Sequence, residues 1–129
     1  MMNKKSIYKK KILIVEDEKI LSEMYYDVFI KAGFKVFSAT ESKQGLKIAK
    51  KEKPDLIILD ILLPRESGIF FLEKLRQYPE ISSIPVVVFT NYDGPDTKEQ
   101  AKKFGVKDYL IKANFTPQQF VAKIKGYLK

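Results

Sequence analysis

The run Pro54-Asp55-Leu56-Ile57-Ile58-Leu59-Asp60-Ile61-Leu62-Leu63-Pro64 decides how this chain folds. Its centre, Leu56 to Leu59, is continuously apolar and too short for a buried helix. Unbroken runs of this kind mark strands covered on both faces, as in parallel sheets, whereas a sheet with one wet face alternates. Asp60 stands where that strand surfaces into a loop. A carboxylate there is either solvated or the centre of a site.

Three further runs share the pattern: Ile12 to Val15, Val86 to Phe89, and the weaker Tyr109 to Ile111. Phe34 to Phe37 is half-polar and predicts an edge strand. Helical spacing fills the intervals. From Lys19 to Ala32, residues Leu21, Met24, Tyr25, Val28 and Ala32 predict one inward face, with Gly33 as a left-handed stop. Ser42 to Lys51 turns Leu46 and Ala49 inward, and Gly45 within it costs about 1 kcal/mol against alanine, which implies close packing. Ser67 to Gln77 turns Phe71, Leu72 and Leu75 inward and is ended by Pro79. Pro95 suits the first turn of a helix running to Phe104, with Gly105 as its stop. Thr116-Pro117 opens a last helix with the stripe Phe120, Val121, Ile124, Tyr127 and Leu128. Strand and helix alternate throughout. That order predicts a doubly wound α/β domain, a five-stranded parallel sheet with helices on both faces and right-handed crossovers.

Bulk composition narrows the chemistry. A 129-residue chain forms one domain that buries about two-thirds of its unfolded surface. At 45% hydrophobic and 31% charged residues it belongs to neither the disordered nor the fibrous classes. It has no cysteine and no histidine, which removes disulfides, thiolate chemistry, the usual general base and the commonest metal ligand. Of the net charge of +8, five charges come from Lys4, Lys5, Lys9, Lys10 and Lys11, with no acid among them. Residues 1–10 are therefore expected to form a basic, poorly ordered leader, and 11–129 the folded domain. Nucleic acid is not an expected partner. No stretch approaches the ~20 apolar residues of a membrane span, and the leader is not expected to be a signal peptide, since the apolar run after it, Ile12 to Val15, is shorter than an h-region.

In open α/β sheets, ligands bind outside the carboxyl ends of the strands. Strand one ends in Glu16-Asp17-Glu18, strand three in Asp60, strand four in Thr90 and strand five in Lys112. Singly, Asp17 reads as a helix cap, Thr90 as a strand end and Lys112 as a surface lysine. Together they place acids, a hydroxyl and an ammonium on one rim.

These residues lie within longer matching segments: Ile12-Leu13-Ile14-Val15-Glu16-Asp17-Glu18, Pro54 to Pro64, Ser67-Gly68, Pro85-Val86-Val87-Val88-Phe89-Thr90, and Phe104 to Lys112. In this order the chain resembles a response-regulator receiver domain over its length after the leader. The resemblance implies the (βα)5 flavodoxin-like fold with strand order 2-1-3-4-5. It implies that Asp60 accepts a phosphoryl group from a sensor histidine kinase or phosphotransfer protein, with Lys112 and Thr90 assisting. It implies Mg2+ held by Asp17 and Asp60 directly, by Glu16 through water, and by the backbone carbonyl of Leu62. Clustered carboxylates repel unless a cation intervenes, and a hard cation with oxygen ligands and waters describes Mg2+. Thr90 and Tyr109 would be the switch pair, acting on a downstream target through the face of helix four, strand five and helix five. A cytoplasmic, stand-alone module is expected, monomeric or dimerising on phosphorylation, that does not turn over an external substrate.

Two positions depart from the family pattern. Ala113 follows Lys112 where proline is usual, which predicts a trans bond or a shifted loop and bears on how far Lys112 reaches. Asn91 replaces a small residue after Thr90 and is expected to slow phosphoryl transfer by crowding or by hydrogen bonding. Two other readings compete. One is a degenerate receiver serving as a phosphorylation-independent scaffold. The other is an aspartate-nucleophile phosphatase, which wants an acid two residues after Asp60, where Leu62 stands.

Overall fold

The computed structural model describes residues 9–129. The leader expected at 1–10 therefore falls almost wholly outside the described residues; Lys9 and Lys10 are exposed and belong to no element. The elements run β1 (Lys11–Val15), α1 (Lys19–Lys31), β2 (Lys35–Ala39), α2 (Ser42–Glu52), β3 (Leu56–Leu59), α3 (Gly68–Gln77), β4 (Val86–Thr90), α4 (Pro95–Lys103), β5 (Asp108–Ile111) and α5 (Pro117–Tyr127). A 3-10 turn, Lys112–Asn114, joins the last strand to the last helix.

All five strands are parallel, in the order β2-β1-β3-β4-β5. The chain winds outward from β1 in both directions, so the switch point of this doubly wound sheet lies between β1 and β3, whose ends carry Glu16 and Asp60. Successive strand residues point to opposite faces, and both faces are covered. Leu13, Val15, Ile57, Leu59, Val86 and Val88 pack under α2, α3 and α4. Ile12, Ile14, Leu56, Ile58, Val87 and Phe89 pack under α1 and α5. This double cover is why the strands read as unbroken apolar runs.

Local signals set the helix ends. Gly33 and Gly105 take the left-handed conformation, with φ of 98° and 72°, after α1 and α4. Ser67 caps α3 by accepting the Phe70 N–H, and Thr116 with Gln119 forms a full capping box on α5. Gly45 packs closely, as expected: a Cβ there would stand 2.9 Å from Cε2 of Phe71 and 3.1 Å from Cγ2 of Val15.

The inward face of α1 differs from expectation. Ser22, Tyr25 and Phe29 are its buried residues, while Leu21, Met24, Val28 and Ala32 are half-buried along the flank. Phe29 is drawn in by edge contacts with Phe34 and Phe120, at ring centroid distances of 5.7 and 5.8 Å. Phe120 also stacks on Phe89 at 3.7 Å. On α5, Phe120, Val121 and Ile124 are buried, whereas Tyr127 and Leu128 only border the core.

Candidate functional site

The rim at the carboxyl ends of β1, β3, β4 and β5 gathers the residues singled out in the sequence. Glu16 follows β1 directly, and its N–H is held by the Ala39 carbonyl at 2.9 Å. Asp60 follows β3, with its N–H on the Val15 carbonyl at 3.0 Å. Both are buried, as is Thr90 at the end of β4; Asp17 is exposed above them. No side chain caps α1, whose N-cap position is Glu18, so Asp17 is not a helix cap.

Asp60 is satisfied on both oxygens. Its Oδ1 accepts from Thr90 Oγ1 at 2.6 Å and from the Leu62 N–H at 3.0 Å, and its Oδ2 accepts from Lys112 Nζ at 2.8 Å. Lys112 also donates to Glu16 Oε1, while Glu16 Oε2 accepts the Glu18 N–H at 3.0 Å. One ammonium therefore bridges two buried carboxylates. Burial pushes the Glu16 carboxyl up, against the opposing pull of Lys112. Burial alone would push Lys112 down, but hydrogen bonds to Asp60 and Glu16 outweigh it and the group ends raised. The two directions are compatible, because Lys112 is served by two acids whereas Glu16 has one cation to share.

Lys112 reaches the site despite the departure at the next residue. Among the described residues no peptide bond is cis, and the trans bond to Ala113 is accommodated in the 3-10 turn. The Ala113 N–H donates to Asn91 Oδ1 at 3.1 Å, so the exposed Asn91 side chain is occupied by the neighbouring loop. Tyr109 is half-buried, and its hydroxyl donates to the Tyr92 carbonyl at 2.6 Å. Burial, helped by the Asp93 carboxylate, pushes that phenol up to about 12. Lys98 pairs with Asp93 and lies 5.7 Å from the Tyr109 ring centroid.

One supporting residue has a role that the sequence did not announce. A Cβ on Gly68 would fall 2.6 Å from the Asp60 carbonyl oxygen and 2.8 Å from the Ile61 Cα, and the Gly68 N–H donates to the Ile61 carbonyl at 2.9 Å. Only a bare backbone fits against the segment that carries Asp60. A glycine directly after the helix cap was the signal available.

The model of the response regulator receiver domain matches residues 12–125. The chain belongs to that family. Among its curated relatives is the alkaline phosphatase synthesis transcriptional regulatory protein PhoP of Bacillus subtilis, 34% identical over 93% of this chain and 49% of that protein. The polar-differentiation response regulator DivK of Brucella anthropi is 29% identical over 92% of this chain and 96% of its own length. This receiver spans about half the length of curated relatives such as PhoP, and nearly all of DivK. A solved receiver domain protein from Methanospirillum hungatei superposes with a TM-score of 0.87 at 26% identity, covering 94% of each chain. Strand order and helix placement in this receiver are those of the CheY-like fold. Among the described residues no helix is long and apolar enough to cross a membrane.

The acidic cluster suits a metal. Carboxylate oxygens of Glu16, Asp17 and Asp60 lie within 4.8 Å of one another, two of the residues buried and one exposed. Every donor is a hard oxygen and the open side faces solvent, which fits Mg2+ keeping several waters better than a cation that wants nitrogen or sulfur.

Proposed function

We propose that this receiver takes a phosphoryl group on Asp60 within a two-component relay, with Mg2+ beside it. The observation that carries this reading is the buried Asp60 carboxylate, with Thr90 Oγ1 at 2.6 Å, Lys112 Nζ at 2.8 Å and two further acids alongside. Such a constellation has no structural purpose that an apolar strand end would not serve better.

Glu16, Asp17, Asp60 and the Leu62 carbonyl would hold Mg2+, which would supply charge neutralisation for the phosphoryl oxygens. One oxygen of Asp60 forms the new P–O bond as the P–N bond to a donor imidazole breaks, and the bonding pair leaves with the imidazole. The attacking group is a carboxylate, so no general base is required, in keeping with a chain that has no histidine. The Lys112 ammonium, freed from Asp60 Oδ2, turns to the incoming phosphoryl oxygens.

The readout runs through backbone. Thr90 Oγ1 accepts the Tyr92 N–H at 3.2 Å, and the Tyr92 carbonyl holds the Tyr109 hydroxyl. When Thr90 turns its hydroxyl from Asp60 to a phosphoryl oxygen, the loop at Tyr92 moves with it and biases Tyr109 between two positions. That shift in population alters the face formed by α4, β5 and α5 for a downstream protein target. A cytoplasmic setting, a histidine kinase or phosphotransfer protein as donor, and dimerisation on phosphorylation belong to the same reading.

Incubation with a small acyl-phosphate donor tests it. The parent should gain one phosphoryl group in Mg2+ and essentially none in chelator, and Asp60→Asn should gain none. Equal uptake in chelator would remove the metal from the reading, and no uptake at all would remove the phosphoacceptor.

A further inference from the structure

We propose that Asn91 is a positioning residue that fastens the loop after β4 to the turn carrying Lys112, so that Thr90 and Lys112 meet Asp60 as one unit. The proposal rests on the phosphoacceptor reading and assigns how that site is held.

Asn91 Oδ1 accepts the backbone N–H of Ala113 at 3.1 Å. Neither half of this bond is available to the usual family residues. A proline at 113 has no N–H to give, and a small residue such as alanine at 91 has no side-chain oxygen to receive it. The two departures in the sequence are therefore donor and acceptor of one bond.

The bond closes a circuit around the carboxylate. Asp60 Oδ1 is held by Thr90 Oγ1 at 2.6 Å, Thr90 is covalently joined to Asn91, Asn91 holds Ala113, Ala113 is joined to Lys112, and Lys112 Nζ returns to Asp60 Oδ2 at 2.8 Å. The next residue of the loop is fastened as well, because the Tyr92 carbonyl takes the Tyr109 hydroxyl at 2.6 Å. Consecutive residues of the loop after β4 are thus pinned to β5 and its turn. Within that turn the Phe115 N–H returns to the Lys112 carbonyl at 3.2 Å, which shapes the turn but does not tie it to the rim. A lysine ammonium sits on a long flexible stem, so its position over Asp60 is only as well defined as the backbone that bears it.

This geometry reverses the sign expected from the sequence, where Asn91 reads as a brake. With its side chain engaged by Ala113, its removal should slow phosphoryl transfer. The test is a cycle of Asn91→Ala, Ala113→Pro and the double variant, read by phosphoryl uptake at saturating acyl-phosphate donor, by Ala113 amide hydrogen exchange where residue 113 retains an N–H, and by thermal midpoint. Asn91→Ala should accelerate Ala113 exchange about tenfold and slow maximal uptake about threefold to tenfold, the worth of one exposed hydrogen bond, at a nearly unchanged thermal midpoint. Ala113→Pro should slow the parent at least as much as Asn91→Ala does, since it also restricts the Lys112 backbone, and the double variant should lose less than the two singles together. Uptake that is unchanged or faster in Asn91→Ala, or losses that simply add, would overturn the positioning role even if Ala113 exchange responds. A parent that takes up no phosphoryl group would sink the reading of the site and the positioning role with it, while Ala113 exchange still reports whether the bond forms.

Discussion

Lys112 holds the rim together by standing between two carboxylates in a place where charge is costly. Its side chain is 10% exposed, and those of Glu16 and Asp60 are 4% and 6% exposed. Burying such charges costs several kcal/mol per ion unless they are paired, and losing one partner of a buried pair is worse than never having built it. Lys112→Ala should therefore destabilise the metal-free protein by about 3 kcal/mol. Removing a fixed cation also makes the acid cluster more attractive to a mobile one, so Mg2+ should restore more stability to the variant than it adds to the parent. Urea unfolding with Mg2+ and with chelator measures both quantities. The same loss in the two media would mean that Lys112 and the metal do not share these oxygens. The rim residues were legible in the sequence because each stands at the carboxyl end of a strand or within two residues of it. The partner of Asn91 was not, because a side chain binding a backbone N–H 22 residues away leaves no periodic trace.

At the scale of elements, the loop from Asp60 to the start of α3 is shaped by backbone contact. The glycines of α2 and α3 differ in what they touch. A methyl at Gly45 would meet the Phe71 ring and the Val15 side chain, both of which can shift by tenths of an ångström. The helix would also gain about 1 kcal/mol in propensity, which offsets much of the crowding. A methyl at Gly68 would meet the Asp60 carbonyl and the Ile61 Cα, which cannot move without carrying Asp60 with them. We expect Gly68→Ala to cost roughly 2–3 kcal/mol and to impair phosphoryl uptake, and Gly45→Ala to cost about 1 kcal/mol or less with uptake intact. Chemical denaturation beside the uptake assay checks the pair; comparable uptake by the two variants would contradict it. The strands and helix ends were legible here because apolar runs, caps and left-handed stops are local signals. The face of α1 was legible only in part. Tyr25 was read as inward, but Ser22 and Phe29 complete the buried line because the aromatic cluster at Phe34, Phe89 and Phe120 sets the helix's rotation. That cluster exists only after the sheet is assembled.

Across the whole molecule, one parallel sheet separates two apolar layers and leaves its switch point between β1 and β3. Alternation of strand and helix announced the sheet. Its order came from resemblance, since apolar runs do not say which strand neighbours which. The same topology sets Arg76 of α3 among the carbonyls of Ser82, Ile84 and Phe104, at 3.1, 2.7 and 2.7 Å, fastening loops at the opposite end of the sheet. Nothing in the spacing of those residues suggested this clamp. The rim at the other end is built from four strand ends, and Asp60 of β3 touches Thr90 of β4 and Lys112 after β5 directly. The most direct test of the role of Asp60 is to phosphorylate the protein in Mg2+, reduce it with borohydride, and sequence the peptides of the whole chain, those spanning 54–64 and Asp17 included. Reduction converts an aspartyl phosphate to homoserine. Homoserine is expected at position 60 and nowhere else in the chain. Intact Asp60 in protein that carries a phosphoryl group, or a reduced residue at Asp17, would contradict it.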